Sequence, residues 1–163
     1  VGSSGPKYLG FDAQILPVIY ESFKPKISDG FHVHNQGKKV CIIATGFMMH
    51  TALKVLDEIS KEGVNIGLID IFNLTNFNTN KLESILSSYS GLISIEEGFR
   101  GRGGLDSMLF EFSSRRNLDI QILNIGVEPG YSFELGTRSE LHEKVGIGIH
   151  SILSQIRLFL NKV

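Results

Sequence analysis

The densest run of chemistry-bearing residues in this chain is Glu96-Glu97-Gly98-Phe99-Arg100-Gly101-Arg102-Gly103-Gly104. Two arginines among glycines are the types that hold an anion, because guanidinium forks match phosphate or carboxylate oxygens and glycine amides can approach closely. The apolar stretch Gly91 to Glu97 reads as a strand, and the stripe Leu105, Met108, Leu109 and Phe112 reads as a helix. The run therefore joins the carboxyl end of a strand to the start of a helix, where α/β sheets place their ligand crevices. In the plainer alternative the glycines only let the loop turn, Arg100 and Arg102 pair with Glu96 and Glu97, and the loop meets a neighbouring domain or subunit. The spacing is no recognised phosphate fingerprint, so the plainer alternative is the expectation. Thr45-Gly46 is a second such position, and with Met48, Met49 and His50 it could line the same crevice. The expectation there is that Gly46 supplies the turn and the methionines pack at an interface, where a flexible thioether suits an irregular contact.

The histidines give less. His32 and His34 lie two apart on a strand, so their side chains share a face and could share a metal, but no third ligand is evident. On a short edge strand they are expected to be solvated surface residues. His50, His142 and His150 have no nucleophile or carboxylate at motif spacing, and the chain has no Gly-x-Ser-x-Gly elbow, its nearest approach being Ser3-Ser4 between glycines. No catalytic, cofactor-binding or metal-ligating residue is assigned.

The elements that must position these residues are legible as periods. Lys39 to Thr45 is apolar on both faces, as a doubly buried strand is, and Gly46 breaks it. Ala52, Leu53, Leu56 and Ile59 form one helical stripe opposite Lys54, Asp57, Glu58 and Lys61, and Gly63 stops the helix. Val64 to Phe72 is a second strand, so the unit implies a right-handed crossover within a parallel sheet. Phe31 to His34 is a short strand whose brief link to Lys39 predicts an antiparallel hairpin. Leu82, Ile85, Leu86 and Tyr89 mark a helix and Ile120 to Val127 a strand. Thr137 with Glu140 fits a capping box for a short helix ending at Gly146, and Ile149, Ile152, Leu153, Ile156 and Leu160 mark a terminal helix. The sum is a three-layer α/β/α arrangement around a mixed, mainly parallel sheet of about five strands. Residues 12 to 28, with Pro17 and Pro25 and no sustained period, read as a connector lying over a surface.

At 163 residues and 42% hydrophobic, the chain can build one well-buried core and is too short for two ordinary α/β domains. A net charge of −1 leaves no basic footprint for nucleic acid. No run reaches membrane-spanning length, and the start of the chain lacks signal-peptide character. Cys41 is the only cysteine, so no intrachain disulfide is possible; it reads as core in a protein of a reducing compartment, the cytoplasm.

Four segments in register carry a family resemblance: GKKVCIIATGFMMHTAL at 37–53, IDIFNLTNFN at 69–78, LISIEEGFRGRGGLDSML at 92–109, and IGVEPGYSFELGTRSELHEKVGI at 125–147. Together they resemble the carboxy-terminal domain of transketolase-like thiamine diphosphate enzymes, the group of transketolase, deoxyxylulose phosphate synthase and the beta subunits of 2-oxoacid dehydrogenases. The match runs from Gly30 to Leu160, and Gly5 to Phe11 resembles the last strand of that family's preceding domain. Where many members have Leu-Lys-Pro-x-Asp, this chain has Leu74-Thr75-Asn76-Phe77-Asn78. Glu134 to Gly136 followed by a short helix is closer to deoxyxylulose phosphate synthase and to split or short transketolases than to the dehydrogenases.

The resemblance implies residues 1–28 as a linker trailing from an upstream domain and 29–163 as the transketolase C-terminal-like domain. It implies a role in supporting a homodimer of the parent enzyme, whose two-carbon-unit transfer from ketose phosphates or 2-oxoacid chemistry uses thiamine diphosphate and Mg²⁺ held on other domains. The family's Gly-Asp-Gly motif for that metal is missing, Asp29-Gly30 being the only Asp-Gly pair. The isolated chain is therefore expected to be inactive. A standalone module that binds a small anion, and an assembly subunit encoded apart from its thiamine-binding partner, are the alternatives.

Overall fold

Val40 to Ala44 is fully buried, as its unbroken apolar pattern demands, because helices cover the strand on both faces. The computed structural model describes residues 5–6, 8–21 and 24–163. In chain order the elements are β1 (Phe31–Asn35), β2 (Lys39–Ala44), α1 (Met48–Lys61), β3 (Gly67–Ile71), α2 (Thr79–Leu86), β4 (Tyr89–Phe99), α3 (Leu105–Arg115), β5 (Gln121–Val127), α4 (Arg138–Lys144) and α5 (Ile149–Leu160). They form one five-stranded sheet of order β1-β3-β2-β4-β5. The pairings of β2 with β3, β2 with β4, and β4 with β5 are parallel, and only the β1 edge is antiparallel.

Strand alternation sorts the interior into two cores. Val40, Ile42, Ala44 and Leu68 face α1 and α5, while Cys41, Ile43, Ile69 and Ile71 face α2 and α3. In α1 the inward stripe is Met48, Ala52, Val55 and Ile59, with Met49 beside it; of the expected stripe Ala52 and Ile59 are buried, while Leu53 and Leu56 are only partly so and Val55 takes the central place. Met48 and Met49 thus lie in the domain's own core rather than at an interface, because the helix begins early enough to turn both toward the sheet. Gly63 ends α1 in a left-handed turn with bonds from Gly63 N–H to Ser60 O and from Val64 N–H to Ile59 O. The capping box of α4 is as read, with Thr137 N–H donating to Glu140 Oε2 at 2.8 Å. Tyr89, expected on a helix, starts β4 instead, and its hydroxyl accepts from the Gly37 amide.

The expected hairpin of β1 and β2 does not form. β3 stands between them, pairing Phe31 with Ile71 on one side and Ile43 with Ile69 on the other. A strand apolar on both faces belongs inside the sheet, whereas β1, carrying two histidines, suits its edge. The link from β1 to β2 passes over the start of β3. There a Cβ on Gly37 would stand 2.0 Å from Gly67 N, so only glycine allows the crossing.

The connector is more than a surface covering. Ile19 packs against the α1 and α5 core, and the Tyr20 hydroxyl donates to the buried Asp70 carboxylate. Asp29 is buried against Lys81 Nζ at 2.6 Å, and its carbonyl accepts from Asn78. Of the Gly5–Phe11 segment, the described residues form no strand, and Lys7 lies outside them, as do Ser3 and Ser4. The turn that departs from the family pattern is built on Asn73, whose Oδ1 accepts from the Thr75 and Asn76 amides.

Candidate functional site

After β2 the chain turns to β3 on one side, and from β3 it crosses to β4 on the other. The carboxyl ends of β2 and β4 therefore flank the switch point where α/β sheets form their crevice. Thr45 and Gly46 directly follow the first strand and Glu96 to Phe99 end the second, so the fold does bring both predicted regions to one rim.

The Glu96–Gly104 run is organised around its first residue. Glu96 is buried, and its two carboxylate oxygens accept from the Leu105 amide at 3.0 Å and the Asp106 amide at 2.8 Å. It thereby supplies the cap that Gly104, as N-cap of α3, cannot. A Cβ on Gly104 would meet Glu96 Oε2 at 2.5 Å and one on Gly98 would meet it at 2.8 Å, so these glycines make room for the carboxylate. Burial pushes the Glu96 carboxyl above its ordinary range, opposed by the two amide bonds. Four further loop amides are committed: Gly101 N–H to Asp106, Gly103 N–H to Ser107 Oγ at 3.0 Å, Arg100 N–H to Val127 O at 2.8 Å and Arg102 N–H to Phe99 O at 3.2 Å.

The arginines do not pair with Glu96 and Glu97 as expected. Arg100 pairs with Glu128 on the segment after β5, and Arg102 has no ion pair among the described residues. Glu97 turns instead to α4, which sequence reasoning did not connect to this rim. It accepts from Arg138 Nε at 3.0 Å and Nη2 at 3.3 Å, and lies 2.9 Å from His142 Nε2. Arg138 also lies 3.8 Å above the Phe47 ring and pairs through Nη1 with Asp12 of the connector at 2.7 Å. The His142 ring meets Phe47 edge-on at 5.6 Å, and His50 lies 6.0 Å from Phe47. Asp12, Phe47, Glu97, Arg138 and His142 are thus one knot, of which only Glu97 stood among the site candidates. The four-residue spacing of Arg138 and His142 placed both on one face of α4, but nothing in sequence showed which carboxylate that face meets.

The same capping device recurs away from the rim. α5 begins at Gly148 without a cap of its own, and Glu143 accepts from the His150 amide at 3.0 Å and the Ser151 amide at 3.2 Å.

His32 and His34 are half-buried at the β1 edge, not solvated. Their rings sit 4.9 Å apart and both pack on Tyr20, with His34 Nε2 3.3 Å from the Tyr20 hydroxyl. Burial, with the His32 charge secondary, lowers the His34 pKa to about 4, and burial raises both Asp70 and Tyr20. Among the described residues no group of three His, Cys, Asp or Glu side chains is placed to hold a metal. No helix among them is long and apolar enough to cross a membrane.

Comparison with known proteins agrees with this geometry. The family model for the transketolase C-terminal domain matches residues 30–152. The chain is 29% identical over 129 residues to the 1-deoxy-D-xylulose-5-phosphate synthase of Pseudoalteromonas translucida, covering 79% of this chain and 20% of that enzyme. It is 28% identical over 127 residues to the corresponding enzyme of Chlamydia abortus, covering 78% of this chain and 19% of the relative. The chain therefore spans about a fifth of the length of these curated relatives. A structure described as a split gene transketolase, inactive beta4 tetramer, superposes with a TM-score of 0.70 at 25% identity, covering 80% of this chain and 42% of that one. Transketolase from Campylobacter jejuni shares the fold, with a TM-score of 0.61 at 14% identity, over 87% of this chain and 20% of its own.

Proposed function

The chain belongs to the transketolase C-terminal domain family, and from that membership we propose that it is the carboxy-terminal, dimer-supporting domain of a cytoplasmic thiamine diphosphate enzyme. Its parent performs two-carbon-unit transfer from ketose phosphates or 2-oxoacid chemistry, with thiamine diphosphate and Mg²⁺ on other domains. Residues 1–28 are the linker from the upstream domain and 29–163 the domain proper. The observation that carries this reading is where large apolar side chains face solvent. Phe11 and Ile15 on the connector are 87% and 103% exposed, and Tyr131, Phe133 and Leu135 on the loop before α4 are each above 90%. Apolar groups displayed on two loop segments suit docking against further protein, and they are costly to leave in water. The Gly98–Gly104 loop, with its Arg100, Gly101, Arg102 and Gly103 amides bonded within the chain, serves as an interdomain contact in this reading.

A second reading is favoured by the split-gene likeness: a separately encoded assembly subunit that associates with a thiamine-binding chain. An immunoblot of the native polypeptide under denaturing conditions, with a thiamine diphosphate assay on natively captured material, separates the two. A band far above 18.0 kDa carrying activity supports the fused domain. A band near that mass with a co-purifying thiamine-binding chain supports the split subunit, and such a band with no partner overturns both.

A further inference from the structure

At the switch-point rim Arg138 already holds a carboxylate, and it comes from the chain itself. Asp12 reaches Arg138 Nη1 at 2.7 Å, with its side chain only 16% exposed. Its neighbours in the connector, Phe11 and Ile15, point into water. This inverts the usual preference, in which the apolar side chains of a segment are buried and its charge is solvated. Within residues 11–15 the one side chain turned inward is this carboxylate, held by the Arg138 socket, while the apolar anchor of the connector, Ile19, lies farther along.

The socket is held by contacts other than the carboxylate that fills it. Arg138 lies flat on Phe47, and Glu97 holds its Nε and Nη2, which fixes the plane of the guanidinium and leaves the Nη1 edge turned to the crevice. His142, bonded to the same Glu97 oxygen and packed on Phe47, supports that arrangement from the next turn of α4. On the other side, the Gln14 amide and Arg138 hold Asp12 ionised against the opposing effect of burial, with His50, its own pKa lowered by burial, nearby. The position is the one at which parallel sheets place ligands, outside the carboxyl ends of the strands where the crossover direction reverses.

We propose that the crevice formed by Arg138, Phe47 and His50 is a binding site for a small carboxylate, closed in cis by Asp12, with the connector as its removable plug. The site is distinct from the Gly98–Gly104 loop and independent of the assembly role proposed above. A tethered carboxylate competes at an effective concentration on the order of millimolar or more, so an external ligand must displace it and binds more weakly while it is present. Movement of the connector, whose far end is anchored by Tyr20 on Asp70, would open the site.

Succinate titration of the 163-residue chain, followed through the Arg138 Nε–H resonance, tests this. Asp12→Ala is expected to give a saturable shift at an at least about tenfold lower succinate concentration than the unmodified chain requires. The uncharged diamide succinamide should leave the resonance where it is. Asp12→Ala combined with Arg138→Gln should lose the succinate-induced changes at Phe47 and His50 while its amide spectrum stays dispersed. The proposal is overturned if Asp12→Ala responds no better than the unmodified chain, or if succinamide shifts the resonance equally. Should the double variant fail to fold, the Arg138 resonance of the single variant still decides.

Discussion

Removing the Glu96 carboxylate tests whether this glycine-rich loop is organised by an internal cap. In Glu96→Ala the Leu105 and Asp106 amides lose their acceptors in a buried environment. Each orphaned donor costs about 1–3 kcal/mol, and water entering the space left by the side chain recovers part of that. The expected net loss is about 2–4 kcal/mol, comparable to losing a strong helix cap together with its charge. For a chain of this size that lowers the melting temperature by roughly 4–16 °C, at about 2–4 °C per kcal/mol. Glu96→Gln should cost only about 1 kcal/mol, because one acceptor oxygen remains and the burial penalty on the charge disappears. That penalty is what raises the Glu96 pKa. The sign follows: a raised carboxyl favours folding below its unfolded value, and the advantage fades as pH rises through the folded value. The gap between the unmodified chain and Glu96→Gln should therefore be wider in acid than at neutral pH. Urea denaturation at two pH values measures all three quantities. An Ala variant within about 0.5 kcal/mol of the unmodified chain, or a Gln variant as damaged as Ala, would refute the capping argument.

Three further outcomes are expected. The His34 pKa, depressed to about 4, makes stability complete above the ordinary histidine range and lost progressively as pH falls from there toward that value. The shift at about 1.4 kcal/mol per pH unit is discounted to about 1–2 kcal/mol for a half-buried ring, and a shallower loss of stability in His34→Asn than in the unmodified chain between pH 6.5 and 4 is the check. At Gly148 a Cβ would stand 2.1 Å from Glu143 Cδ, so Gly148→Ala should cost about 1–3 kcal/mol, and a cycle with Glu143→Ala should show strong non-additivity by chemical denaturation. Arg138→Ala removes the contacts to Asp12, Glu97 and Phe47, and limited proteolysis should then nick the connector near Asp12 several-fold faster, an unchanged cleavage rate arguing against a tether.

Sequence by itself determined the elements and the family. The five strands, the α1 helix, the Gly63 stop and the Thr137–Glu140 box are all local statements, made by side-chain periods and by backbone demands within a few residues. The order of the strands and the partners of the charges were decided only by tertiary structure. β3 slips between β1 and β2 because a strand apolar on both faces is stabilised most in the sheet interior, a comparison between segments that no single segment displays. Likewise the Glu96–Gly104 run showed its residue types but not its use. Whether glycine amides face a ligand or an internal carboxylate depends on where the Glu96 side chain lands relative to the first turn of α3. Asp12, Glu97 and Arg138 are separated along the chain by connector, sheet and loop, so their meeting rests on packing at the rim between β2 and β4. Charge pairing of this kind has no period, and the fold alone supplies the distances that make it strong.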